Sequence, residues 1–184
     1  MVHCVLCGNS SVGKSTLLEQ LIRRQPGLAE PTIGVAFMQY RTEAGQLEIW
    51  DTAGQEQYQP MLPLYFRRAA AVVVVFDLTC PHSFAAVPRW VAQARQHAPD
   101  GVCIALVGTK CDLPPVVPES EARHLVARLE LGGYWATSGL TGQGVEAPFD
   151  FAMAHARPVE RAGMMLAGFH EEAEVPAVHR CCFS

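Results

Sequence analysis

Gly8-Asn9-Ser10-Ser11-Val12-Gly13-Lys14-Ser15 fits the pattern G-x-x-x-x-G-K-[ST], with an apolar run, Val2 to Cys7, before it and helix-patterned residues after it. Residues of these types at this spacing cradle a phosphate. Gly8 and Gly13 let the backbone fold so closely that the N–H groups around Ser10, Ser11, Val12 and Thr16 face one anion, and the following helix adds its positive N-terminal end. Lys14 then reaches the outer phosphates of a nucleotide, and the Ser15 hydroxyl is placed to hold Mg²⁺. The loop by itself does not choose among nucleotides.

Two further groups make that choice and add chemistry. Asp51 ends an apolar strand pattern and leads within four residues to Gly54 and Gln55. A carboxylate at a strand end beside a phosphate loop suits the Mg²⁺ hydration shell. Gly54 lets a backbone N–H approach a terminal phosphate without a side chain in the way, and Gln55 can orient a water for in-line attack. Thr109-Lys110-Cys111-Asp112 follows the apolar run Val102 to Val107. The Asp112 carboxylate can accept two hydrogen bonds from a guanine edge, whereas adenine offers the wrong donors, and the aliphatic stem of Lys110 covers the base plane. Ser138-Gly139-Leu140 is positioned to lend backbone N–H groups to the guanine carbonyl.

The elements that must hold these groups alternate in period. Leu17, Leu18, Leu21 and Ile22 share one helix face, Val72 to Phe76 is a continuous apolar strand, and Phe84, Val87, Val91 and Ala94 form the next helical stripe. Leu125, Val126 and Leu129 mark another helix, Tyr134 to Thr137 a short strand, and Val145, Phe149, Ala152, Met153 and Ala156 a last helix. Such alternation predicts an α/β, three-layer fold with helices on both faces of a mostly parallel sheet, and ligands at the carboxyl ends of its strands. Between Pro31 and Asp51 two strand patterns flank a turn, Thr42 to Gly45, with no helix between them. This predicts a hairpin, and hence six strands with one antiparallel edge.

The 184 residues suit one domain with one substantial core. A net charge of −4 without any Lys/Arg cluster leaves no footprint for nucleic acid. Seven cysteines, five of them (Cys4, Cys7, Cys80, Cys103, Cys111) in or beside apolar strand patterns, fit a reduced, cytosolic setting. Cys4 and Cys7 form C-x-x-C, but residues three apart on a strand face opposite sides, so they read as small buried hydrophobes rather than a metal or redox pair. The histidines show no H-x-x-x-H spacing, no signal-peptide pattern opens the chain, and the longest apolar run, Ala69 to Phe76, falls short of the roughly 20 residues that span a bilayer.

Taken in order, the phosphate loop, Pro31-Thr32-Ile33-Gly34, Asp51 to Glu56, Thr109 to Asp112 and Ser138 to Leu140 resemble the motifs of a Ras-superfamily small GTPase over about residues 2–157. Ile33 to Phe37, Leu47 to Trp50, Tyr65 to Arg67 and Val75 to Thr79 resemble the Rab family's segments, with a weak endosomal flavour in Ile33 to Phe37. The resemblance implies a GTP/GDP switch with Mg²⁺ as cofactor. In it Thr32 closes over the γ-phosphate and Mg²⁺, and residues 27–38 and 54–67 are the switches. It further implies that Phe37, Trp50 and Tyr65 form an aromatic triad read by effectors. An exchange factor, a GTPase-activating protein and a prenyl-binding escort would be partners of a monomer. Intrinsic hydrolysis is slow in such proteins, and an activator's arginine finger contributes about 10³ to 10⁵ in rate.

Residues 1–157 thus read as a GTPase domain and 158–184 as a flexible tether without a polybasic run, ending in Cys181-Cys182-Phe183-Ser184. That ending resembles both a Rab double-cysteine terminus and a CaaX box; two adjacent cysteines point to two prenyl groups, because one chain anchors only marginally. The expected location is the cytoplasmic face of an internal membrane, endosomal if the Ile33 to Phe37 hint holds, with cycling through the cytosol. Departures from the family are specific. Gln25-Pro26-Gly27-Leu28 stands where an aromatic residue usually packs over the base, which predicts weak nucleotide retention. Thr109 replaces Asn, and Leu140 replaces Lys. The hairpin is about four residues shorter than in Rabs, an even number that keeps the inward and outward faces in phase. Pro60 and Pro63 predict a short or broken switch II helix. Two other readings remain at this point: a Rho- or Ras-like signalling switch, resting on Thr109 and the CaaX-like ending, and a nucleotide-bound interaction module that no longer cycles.

Overall fold

The β-branched and apolar runs become six strands, β1 (Val2–Cys7), β2 (Val35–Thr42), β3 (Gly45–Thr52), β4 (Ala71–Asp77), β5 (Cys103–Thr109) and β6 (Gly133–Ala136). The 3.6-period segments become α1 (Lys14–Arg23), α2 (Leu62–Phe66), α3 (Pro81–Ala85), α4 (Val87–His97), α5 (Glu119–Arg128) and α6 (Ala147–His155). The structure, a computed structural model, describes residues 2–24, 32, 35–42, 45–52 and 60–156. The sheet order is β2-β3-β1-β4-β5-β6. Among the described residues only the β2–β3 pair is antiparallel, and the other pairings are parallel. This is the mixed sheet with one antiparallel edge that the hairpin pattern predicts.

β4 shows why the sheet needs helices on both sides, for all seven of its residues are buried. Val72, Val74 and Phe76 enter one core with Leu62 and Phe66 of α2, Trp90 and Val91 of α4 and Leu125 of α5. Ala71, Val73 and Val75 enter the other with Leu17, Leu18 and Leu21 of α1 and Phe149 of α6. Cys4 belongs to the second core and Cys7 to the first, so the C-x-x-C pair is split across the sheet as strand geometry requires. Burial pushes the Cys7 thiol up to about 12 and the Cys4 thiol higher still. Neither is a thiolate at neutral pH, the form that binds metals and attacks disulfides.

Three details depart from the sequence pattern. Ile22 is 36% exposed at the edge of the α1 stripe. The stripe from Phe84 to Ala94 is two helices, not one: α3 ends at Ala85 and α4 starts at Val87, each with a proline in its first turn. Pro88 lacks the N–H that would continue α3 and is preset for a new first turn instead. Val145 precedes α6 and is buried from the loop. The short, proline-started α2 agrees with the effect expected of Pro63.

The hairpin is tight, since Thr42 pairs with Gly45 across two intervening residues. The β2 strand of the hairpin reaches α6. The Thr42 hydroxyl lies 3.6 Å from Met153 Sδ, and the Tyr40 hydroxyl donates to Asp150 Oδ1 at 3.4 Å. From β1 the chain moves to the β2–β3 pair on one side and only then to β4 on the other, so β1 ends at a switch point of the sheet. Crevices at such points take ligands, and the phosphate-loop sequence begins there.

Candidate functional site

Gly8 leaves β1 at φ +147°, and a Cβ on it would stand 2.1 Å from the Val75 carbonyl oxygen of β4. Only glycine fits, because the loop must start flush against the neighbouring strand. The loop ends at Gly13, in the left-handed region (φ +93°), and Lys14 opens α1. Lys14 is 6% exposed and its Nζ donates to the carbonyls of Gly8 (3.0 Å) and Asn9 (2.8 Å). Burial lowers its pKa, a shift opposed by the nearby Asp51 carboxylate. The ammonium is thus held over its own loop, at the mouth where an anion would sit.

Beside it, oxygens from the next residue of α1, from Thr32 between α1 and β2, and from β3 converge. Ser15 Oγ donates to Asp51 Oδ2, Thr32 Oγ1 approaches the same oxygen at 3.1 Å, and the two hydroxyls are 2.7 Å apart. Asp51 is buried, and its Oδ1 has no hydrogen-bond partner among the described residues. Burial raises the Asp51 pKa, while the Ser15 and Thr32 hydroxyls and Lys14 pull it back. Hydroxyl and carboxylate oxygens with one carboxylate oxygen left over are the donor set of a hard divalent cation, which takes one or two carboxylates and keeps several waters. The residues therefore fit Mg²⁺. Among the described residues there is no cluster of three or more His, Cys, Asp or Glu side chains that could hold a metal, so softer metals have no comparable site.

The base-side motif is tied to the phosphate loop by its own side chains. The buried Thr109 hydroxyl lies 2.5 Å from the Val12 carbonyl and 3.0 Å from the Phe76 carbonyl, so it spans the loop and the end of β4. Lys110, at φ +60°, pairs its Nζ with Asp77 Oδ2 at 2.6 Å and reaches the Ser11 carbonyl at 3.4 Å. Cys111 N–H donates to the Thr137 carbonyl and Thr137 N–H to the Gly108 carbonyl, which sets residues 109–112 beside 137–140. Asp112 is exposed there.

Ser138 is fully buried, and its Oγ accepts the N–H groups of Leu140 (3.2 Å) and Thr141 (3.0 Å). The Leu140 N–H is therefore already engaged, and the Leu140 side chain is 63% exposed. Gly139 packs directly on α1: a Cβ there would lie 3.0 Å from the backbone of Thr16 in its first turn.

The structure thus brings together Lys14, Ser15, Thr32 and Asp51, and links Thr109 and Lys110 to them through the loop, while Gly139 packs on Thr16 at the start of α1. Gly54, Gln55, Cys181, Cys182, Pro31, Ile33, Gly34 and the Gln25 to Leu28 segment lie outside the described residues. Phe37, Trp50 and Tyr65 form one run of rings, with centroids 4.9 Å and 5.3 Å apart. Phe37 is 46% exposed, so the run opens at the surface.

Two contacts were not visible as site features in the sequence. The Trp90 indole N–H donates to Asn9 Oδ1 at 2.8 Å, fixing the second residue of the loop from α4. Asp77 holds Lys110. The signal for Asp77 was there, an acidic residue ending an apolar strand pattern in the same manner as Asp51, but its partner is set by strand register and not by spacing.

Comparison with known proteins gives one consistent answer. The Ras family model matches residues 3–157. The chain is 37% identical over 150 residues to ras-related protein Rab-5B of Dictyostelium discoideum, covering 79% of this chain and 70% of that protein. It is 36% identical over 165 residues to GTP-binding protein ypt5 of Schizosaccharomyces pombe, covering 85% and 77%. It is 39% identical over 126 residues to mouse ras-related protein Rab-22A, of whose length the chain spans 64%.

Proposed function

The chain belongs to the Ras family, as a Rab-like small GTPase, and from that premise we propose that it is a GTP/GDP switch acting in vesicle traffic at an endosomal membrane. One observation carries the site assignment: the oxygens of Ser15 in α1, Thr32 in the connection to β2, and Asp51 in β3 converge next to Lys14 at a switch point of the sheet.

On this reading the backbone of Gly8 to Thr16 cradles the phosphates and Lys14 neutralises the outer two. Ser15 and Thr32 ligate Mg²⁺, and Asp51 orients its waters. When bound, the ion neutralises charge that develops on the phosphates during transfer. Thr32 is the residue that senses the γ-phosphate. Its hydroxyl lies among the other two donors, while the segment carrying it connects α1 to β2. Gly54 offers its N–H to the γ-phosphate and Gln55 positions the attacking water. Asp112 selects guanine, Lys110 covers the base, Thr109 braces the loop, and the backbone at Ser138 to Leu140 faces the guanine carbonyl. Here Gly139 is the donor left free, since Ser138 already holds the Leu140 N–H. Phe37, Trp50 and Tyr65 present the effector surface. Residues 158–184 tether the domain to the membrane through prenyl groups on Cys181 and Cys182. An exchange factor, an activating protein and a prenyl-binding escort set the timing.

The membrane half of this proposal has a direct test. A fluorescently tagged chain is expected to label endosomal membranes, and Cys181→Ser with Cys182→Ser is expected to make the label diffuse. Diffuse wild type, or membrane label that survives both substitutions, contradicts it.

A further inference from the structure

Resting on the guanine-nucleotide reading above, we infer that Asp77 is a positioning residue for the base: it holds the Lys110 side chain in the one pose that covers guanine. A lysine side chain loses much rotamer freedom when it is held in one pose, and Lys110 leaves the sheet in the left-handed region at φ +60°. Something else must fix it.

Asp77 is built for that. It ends β4 in register with Thr109, the residue before Lys110, so strand pairing delivers its carboxylate to the lysine head. Oδ2 meets Lys110 Nζ at 2.6 Å. Oδ1 accepts the Thr79 N–H at 2.8 Å and the Thr79 hydroxyl at 2.7 Å, so the carboxylate cannot swing away. The backbone of Asp77 is anchored as well, with its N–H given to Ser83 Oγ and its carbonyl accepting the Cys80 N–H. Lys110 Nζ in turn reaches the Ser11 carbonyl of the phosphate loop. One continuous path then runs from the end of β4 through the lysine to the loop, and the base and phosphate halves of the site share a brace.

The Asp77 charge is secure at neutral pH. Burial works to raise its pKa, but the bonds from Lys110 and Thr79 outweigh it and hold the carboxyl below its ordinary value.

Asn and Glu at position 77 separate this role from a merely local one. Asn keeps the oxygen that caps Thr79 and loses the charge facing Lys110; Glu keeps the charge and disturbs the cap. Release of a fluorescent GDP analogue is measured for wild type, Asp77→Asn and Asp77→Glu, with circular dichroism confirming each fold. Asp77→Asn is expected to release nucleotide about tenfold faster, the scale of one charge-assisted hydrogen bond, and Asp77→Glu within about threefold of wild type. The reverse order assigns Asp77 to the Thr79 turn alone and overturns the inference, as does a wild-type rate for Asp77→Asn. Should Asp77→Asn not fold, Asp77→Ser, whose hydroxyl can also cap Thr79, is read against the same thresholds. Wild type that retains no guanine nucleotide overturns the reading beneath the inference and is recognised in the same assay, before any variant is compared.

Discussion

Lys14→Met is expected to weaken Mg²⁺·GTP binding by roughly 30- to 5,000-fold, the equivalent of about 2 to 5 kcal/mol for truncating one partner of a buried charge pair. The ammonium is almost fully buried and held by two loop carbonyls. Those carbonyls are weaker partners than phosphate oxygens, and burial already disfavours the charge. The fold therefore bears an electrostatic cost that the Asp51 carboxylate opposes and that an anion at the loop mouth offsets further. The second half of the expectation follows: nucleotide-free Lys14→Met melts no lower than nucleotide-free wild type. Competition binding measures the first half and thermal denaturation the second. A variant that binds normally, or that unfolds without nucleotide, contradicts the role.

Asp51→Asn is expected to lower Mg²⁺ affinity by about 10- to 100-fold, the range for groups that orient metal ligands from just behind them. The same substitution should also remove a pH dependence. The sign comes from burial, which raises the Asp51 pKa above its ordinary 3.8 in the metal-free fold. A carboxyl raised on folding contributes stability that is fully present below the unfolded value and lost as pH rises through the folded value. Metal-free wild type should therefore lose stability across that window relative to Asp51→Asn, whose amide does not titrate. Mg²⁺ requires the carboxylate, so the apparent Mg²⁺ affinity of wild type should fall as pH drops below the raised pKa. Melting temperatures of both proteins across the acid range, with chelator and with Mg²⁺, read both effects. Parallel curves for the two proteins contradict the assignment.

Much of this architecture was legible because it is written in local pattern. The unbroken apolar run of β4 required a sheet covered on both faces, and two strand patterns without a helix between them required the β2–β3 hairpin. The phosphate loop is a linear motif whose glycines answer to backbone geometry, as the approach of Gly8 to Val75 shows. What was not legible depends on residues far apart in sequence. Asp77 meets Lys110 through the register of β4 with β5, and Asn9 meets Trp90 across 81 positions. The break between α3 and α4 was missed because periodicity continues through Ala86 while Pro88 resets the hydrogen bonding. Gly139 stands in the sequence only as part of a segment of backbone donors, whereas in the fold it packs directly against the first turn of α1. In each case local sequence states what a segment prefers, and tertiary contact decides what that preference is used for.

The central claim is that the bound γ-phosphate is something this chain removes. Single-turnover hydrolysis of pre-bound GTP, with phosphate release followed for wild type and Gln55→Leu, tests it most directly. Slow release is expected from wild type and markedly slower release from Gln55→Leu, with GTP retained by both. No phosphate from either protein contradicts it and leaves a nucleotide-bound interaction module that does not cycle.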